Sequence, residues 1–271
     1  MTRILFAIST LFVASALHAQ TPVIVDGGIL NGASFARNQA VAPGSLVSIF
    51  GDDLASQLAS ASSIPFSVAL AGVSVTFNNV SAPISAVIPG NASSRAQLNV
   101  QVPWDAIGGL PQGSVAVVVT RDGQKSAPQQ LSLNQFAPGI FTIPAGAGNV
   151  IAINTDGSVA APEGSIPGIN THPAKVGDGL FFYANGLGPV DSAIQNGAAS
   201  TDVLRKTLTT PVVMIDGISV TPFFSGLAPQ FPGVNQVNFT IPAGVRPGNS
   251  VPVQLSIGGI TTSQTATIAV Q

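Results

Sequence analysis

Apolar and polar residues alternate over short runs along most of this chain. In QLNVQVP (97–103), Leu98, Val100 and Val102 alternate with Gln97, Asn99 and Gln101. In QVNFTIP (236–242), Val237, Phe239 and Ile241 alternate with Gln236, Asn238 and Thr240. A period of two sends successive side chains to opposite faces of a sheet, so each run predicts a strand with one buried and one polar face. Each run stops at a proline, Pro103 or Pro242, which lacks the N–H that a continuing ladder needs. The same pattern predicts strands near 45–50, 71–77, 82–88, 96–102, 114–120 and 129–134. It predicts a second set near 179–184, 211–216, 218–224, 234–241, 250–257 and 262–269. Val251, Val253, Leu255 and Ile257 form one inward face, and Pro252 on the opposite face predicts an edge strand.

The two heptapeptides belong to a longer echo. VAPGSLVSIFG (41–51) aligns with VGDGLFFYANG (176–186), placing Gly44 over Gly179 and Gly51 over Gly186. GVSVT (72–76) aligns with GISVT (217–221), and SVAVVVTRDG (114–123) with SVPVQLSIGG (250–259). Segments recurring in one order imply an internal duplication, and the repeat is far longer than the 20–50 residues of a solenoid unit. Short alternating strands between turn signals such as Arg121-Asp122-Gly123, Thr155-Asp156-Gly157 and Gly258-Gly259 predict an all-β fold. The expected architecture is two tandem immunoglobulin-like β-sandwich domains. They occupy 20–137 and 176–271, joined by a loop-rich connector, 138–175, with one hairpin pairing Val150–Ile153 with Ser158–Ala161.

Composition agrees with strands and turns. Charged residues make up only 7% of the chain, while Gly and Pro number 29 and 21. No cluster of Lys and Arg exists, so a nucleic-acid partner is not expected. Residues 1–19 read as a signal peptide: Arg3, the apolar run Ile4–Ala16, then Ala19 at the position before cleavage. That run is too short to span a bilayer, and no later segment is long and apolar enough, so no membrane span is expected in the mature chain. Without Cys, an exported chain must draw its stability from buried apolar area rather than disulfides.

Residues able to carry chemistry are few. Beyond the signal, His172 is the only His and Glu163 the only Glu, and no G-x-S-x-G elbow occurs. Asp52-Asp53 reads as a solvated turn, and Asn154 with Asp156 is explained by an Asp-Gly hairpin rather than by calcium. No catalytic, cofactor or metal residues are therefore assigned. For a ligand, the candidates are Trp104 at a strand end, Asn99 and Gln101 on a polar strand face, and Tyr183. Aromatic rings can form sugar platforms, and amides bond hydroxyls. Phe181-Phe182 and Phe223-Phe224 are neighbours on opposite strand faces, so one ring of each pair should leave its core.

DGGILNGASF (26–35), VAPGSLVSIFGDDLA (41–55), APISAVIPG (82–90), APGIF (137–141), YANGLGPV (183–190) and FSGLAPQFPGVNQVN (224–238) carry a family resemblance. With them the chain resembles, over residues 23–271, the Solibacter-type uncharacterised C-terminal domain of exported acidobacterial proteins. The resemblance implies export and no known activity, with the module making up nearly all of the mature chain. Pro43-Gly44, a strand, then Gly51 and Leu54 are also similar to the opening of IPT/TIG immunoglobulin-like domains, with Asp178 where the first copy has Pro43. The reading is an exported, non-catalytic structural or interaction module whose partner is an unknown protein or surface polysaccharide. The alternative is an extracellular carbohydrate-binding module, and a hydrolase comes third.

Overall fold

The fold is built from strands whose alternate residues seal two separate apolar layers. The structure, a computed structural model, describes residues 20–271. The expected signal peptide lies outside the described residues. Among them there is no helix, so none is long and apolar enough to cross a membrane. The chain is all-β: two tandem β-sandwiches built on one repeated strand plan.

In the first sandwich the principal strands are β1 (Val23–Asn31), β2 (Leu46–Asp52), β3 (Val73–Phe77), β4 (Ile84–Ile88), β5 (Ala96–Gln101), β6 (Gln112–Arg121) and β7 (Gln129–Asn134). One sheet runs β1-β2-β5-β4 and the other β3-β6-β7. Their inner faces meet in a core that includes Ile49, Leu98, Val100, Phe77, Val117 and Leu133. The second sandwich comprises β8 (Gly139–Ile140), β9 (Thr142–Ile143), β10 (Gly148–Val150), β11 (Ala152–Ile153), β12 (Gly179–Asn185) and β13 (Val212–Ile215). It continues with β14 (Ile218–Val220), β15 (Phe224–Leu227), β16 (Asn235–Thr240), β17 (Gly248–Ile257) and β18 (Ala266–Val270). One sheet runs β8-β12-β16-β15, with β11 also on β12; the other runs β9-β10-β18-β17-β13-β14. Phe182, Phe239, Leu255 and Ile268 lie in its core.

The segment 138–175 is more than a connector. It supplies edge strands to both sheets of the second sandwich, with β8 and β11 on β12 and β10 parallel to β18. The expected hairpin forms, with a bridge between Ile153 and Val159, and it seals a small cluster of Val159, Ala161 and Ile166.

The register corrects two of the sequence alignments. Val47 pairs with Val100 in the first copy, and Leu180 pairs with Phe239 in the second. The glycine before β2 is Gly44, whose N–H reaches Val102 O at 2.9 Å; in the second copy Gly177 does the same to Ile241 O at 2.9 Å. Both glycines have positive φ, +78° and +91°. Gly44 therefore corresponds to Gly177, not Gly179, and Pro43 to Val176, so Asp178 is the counterpart of Ser45. A two-residue slip keeps every side chain on its face, which is why alternation alone did not expose it.

The GVSVT/GISVT match is also displaced. Val73–Phe77 pairs with β6, whereas its counterpart on β17 is Val212–Ile215. Ile218–Val220 is instead the return arm of the following hairpin, as Val80–Ser81 is in the first copy.

Pro252 is not on an edge strand. β17 lies between β13 and β18. The proline fits because the β13 ladder ends at Val253 and the β18 register shifts just before it, between Gly248 and Val251.

Candidate functional site

The polar face of β12 and β16 carries the most distinctive surface of the molecule. Leu180 and Phe182 point into the core, which turns Phe181 and Tyr183 outward. Phe181 pairs with Asn238 and Tyr183 with Gln236, so two rings lie beside two amides on one sheet face. Phe231, from the turn before β16, meets Tyr183 edge-on with ring centroids 5.4 Å apart, and Phe181 also meets it edge-on at 5.6 Å. Gln236 Nε2 donates to Asn238 Oδ1 at 2.8 Å, which fixes both amides. Burial raises the Tyr183 phenol above its ordinary pKa, so it stays protonated.

Beyond Phe181 the face opens into a concavity of about 540 Å³, bounded by Phe181, Asn238, Phe223, Ile153 and Thr155. Phe223 is 69% exposed. The expectation for the phenylalanine pairs holds at Phe181-Phe182. It fails at Phe223-Phe224, where neither ring is fully buried, because Phe224 lies over Gly226 on the outer face.

The four residues proposed from sequence do not converge. Tyr183 belongs to this face. Asn99 lies on the first sandwich, half-buried, accepting from Ser48 Oγ at 2.9 Å and from Gln97 Nε2 at 2.8 Å. Gln101 is no ligand contact: it is 1% exposed, donates to Gly44 O at 3.0 Å and accepts from Gly197 N at 2.6 Å. Its strand face looks polar in sequence, but the loop around Gly197 of the second sandwich covers it. Trp104 is half-buried at the same junction, its backbone N–H donating to Asn196 Oδ1 at 2.8 Å and its ring lying against Gly44. It borders a smaller apolar concavity of about 160 Å³ with Pro43, Leu110 and Pro189. Sequence reading missed Phe231, a loop residue outside any alternating run, and the groove, which needs the β11 hairpin as its wall.

His172 stands within reach of an acid but not as a base for a nucleophile. Its Nε2 lies 2.9 Å from Asp156 Oδ2 and its Nδ1 2.8 Å from Pro173 O. The Pro173 carbonyl and Asp156 together raise its pKa above the ordinary histidine value. Ser158 donates its N–H and its hydroxyl to Asp156 Oδ1, at 3.0 and 2.7 Å, and with His172 these bonds lower Asp156 to about 2. The serine thus bonds the carboxylate and not the imidazole, whose two nitrogens are both engaged, so no base–nucleophile pair forms. Asp52 and Asp53 pair with different arginines, Arg95 and Arg121. Among the described residues no group of three His, Cys, Asp or Glu side chains is placed to hold a metal.

No family model matches the chain, and no curated protein sequence matches it. Among solved structures it is similar to SGBP-B of the Bacteroides ovatus mixed-linkage glucan utilization locus in complex with a mixed-linkage heptasaccharide. That match has 13% identity, 94% of this chain covered and a TM-score of 0.32. This chain spans 48% of that protein, about half its length. It is also similar to the I9–I11 tandem of titin, at 12% identity, covering 93% of this chain and 66% of that one with a TM-score of 0.22. The D00–D0 domains of intimin match at 15% identity, covering 86% of this chain and 97% of that one, with a TM-score of 0.18. Scores this low say nothing of what the present chain binds.

Proposed function

We propose that this chain is an exported, non-catalytic binding module, with the outer face of the second sandwich as its ligand-facing surface. Export rests on the signal-like residues 1–19, in keeping with the resemblance to the Solibacter-type module. The observation that carries the binding role is the row of three rings in which Phe181 and Phe231 each meet Tyr183, half-open on the outer face beside an open groove. Rings of that size are ordinarily buried, and a row of them left partly open at the surface marks an interaction site. A catalytic role has no comparable support, since His172 faces no nucleophile.

Co-sedimentation of the mature chain with cell-surface material from its source tests the proposal. Binding should be retained in His172→Ala and fall at least tenfold in a Phe181→Ala/Phe231→Ala double variant. Equal sedimentation of that double variant and the wild type would remove this face from the function. Hydrolysis of the bound material, lost in His172→Ala, would instead favour the hydrolase reading. The alternative reading as a carbohydrate-binding module is favoured by one further feature of the same face, its pairing of rings with amides.

A further inference from the structure

We infer that the outer face of the second sandwich binds an uncharged polysaccharide, with sugar rings laid on Phe181 and Tyr183 and their hydroxyls met by Gln236 and Asn238. The inference rests on the binding-module reading above and names its ligand class. The outward positions that this face presents are Gly179, Phe181 and Tyr183 on β12, Gln236, Asn238 and Thr240 on β16, and Phe224 and Gly226 on β15. None of these is ionised, and a charge, Lys206, stands exposed beside Gly226 at the β15 edge. A charged polymer laid across β12 and β16 would lose hydration and find no opposite charge on those two strands in return. A wholly apolar ligand would strand the amides without partners.

The amides are already half-committed in a useful way. The bond from Gln236 Nε2 to Asn238 Oδ1 uses one acceptor and one donor. It leaves Asn238 Nδ2 and Gln236 Oε1 without a protein partner among the described residues, and the Tyr183 hydroxyl has none either. The face therefore offers donors and acceptors together, held at fixed positions next to aromatic carbon. A sugar has the matching chemistry: hydroxyls that both donate and accept around its rim, and C–H groups on its ring faces. The adjoining concavity of about 540 Å³ lies within the range of roughly 300–1,000 Å³ common for small-ligand sites, and it extends the platform past Phe181 to Phe223. A polymer crossing the sheet would thus meet a ring at each end and amides between them.

The test is affinity electrophoresis of the mature chain through gels containing xyloglucan, galactomannan or dextran, with alginate as the anionic arm. Calorimetry on whichever neutral polymer retards it follows. Retardation by at least one neutral polymer and not by alginate is expected. Phe181→Ala and Phe223→Ser should each weaken binding about tenfold, and Tyr183→Phe, which removes only the hydroxyl, a few-fold. Phe223 is largely exposed, so its variant tests the face without endangering the fold. Retardation by none of the neutral polymers overturns the inference, as does equal retardation by alginate or an unchanged affinity in both phenylalanine variants. If cell-surface co-sedimentation persists, depends on Phe181 and Phe231, and disappears when the material is treated with protease, the binding-module reading stands and the glycan class falls. If co-sedimentation itself ignores this face, both fall.

Discussion

At the scale of single residues, alternation told correctly within β5 and β12 which side chains leave the strand's own core, but not what lies on the other side. Gln101 and Tyr183 both occupy outward positions, yet Gln101 is covered by the neighbouring sandwich and Tyr183 is not. Nothing in a local period of two distinguishes water from a second domain, because both accept polar groups. His172 shows the converse: its sequence context, an isolated loop histidine, gave no sign of the Asp156 clasp, whose partners lie across a hairpin. That clasp has a definite pH window. The folded pKa of His172 is raised, so its contribution is complete below the unfolded value near 6.5 and is lost as pH rises through the folded value. Asp156 is lowered to about 2, so its contribution is complete above its ordinary value and fades as pH falls toward 2. The clasp of His172 on the 150–161 hairpin should accordingly be tightest between about pH 4 and 6.5. An NMR titration should place the His172 midpoint above that of a model histidine, and Asp156→Asn should move it down. An unshifted midpoint in the wild type would mean that the clasp does not form in solution.

At the scale of elements, the duplication was legible and its details were not. The QLNVQVP/QVNFTIP pair marks equivalent strands, β5 and β16, because each must bury three apolar residues against the same partners. GVSVT and GISVT look more alike and are not equivalent, since five residues of alternating β-formers fit either arm of a hairpin. A better marker was hidden in two unlike residues. Ser126 Oγ accepts from Val119 N at 3.0 Å, and Thr262 Oγ1 accepts from Leu255 N at 3.1 Å. In each copy the backbone returns the bond, Ser126 N to Val119 O at 2.8 Å and Thr262 N to Leu255 O at 2.9 Å. The hydroxyl thereby extends the hairpin ladder where the returning chain leaves the sheet. Both side chains are buried, so Ser126→Ala and Thr262→Val each leave an N–H without a partner, at a cost of about 1–3 kcal/mol. The two costs should agree within about 1 kcal/mol if the device is the same in both copies. Urea unfolding of the two variants gives the comparison, and a neutral Thr262→Val beside a costly Ser126→Ala would break the equivalence.

At the scale of the whole molecule, the junction decides whether the chain behaves as two beads or one body, and a network of amide hydrogen bonds runs through it. Asn185, at the end of β12 and fully buried, accepts from Leu46 N at 2.9 Å and donates to Leu46 O at 2.7 Å, so its amide pairs with the first sandwich as a strand neighbour would. Its Nδ2 also donates to Asn31 Oδ1 at 3.0 Å, and Asn31 Nδ2 donates to Ala137 O at 2.8 Å, tying the link between β7 and β8 into the same network. Phe136, in the link between β7 and β8, lies against Gly188 and Gly258, where a Cβ would collide with its ring. In Asn185→Ala, Leu46 O keeps its bond from Gly32 N at 2.9 Å, and Asn31 Oδ1 keeps that from Ala33 N at 2.9 Å. The Leu46 N–H alone is orphaned, a penalty of about 1–3 kcal/mol placed on the contact between the sandwiches rather than on either core. Calorimetry should therefore show one cooperative transition in the wild type and two in Asn185→Ala, with small-angle scattering reporting a longer maximum dimension for the variant. Two transitions already in the wild type would mean that the amide network is too weak to couple the halves. The aromatic face of the second sandwich would then have to bind on its own, without a fixed first sandwich beside it.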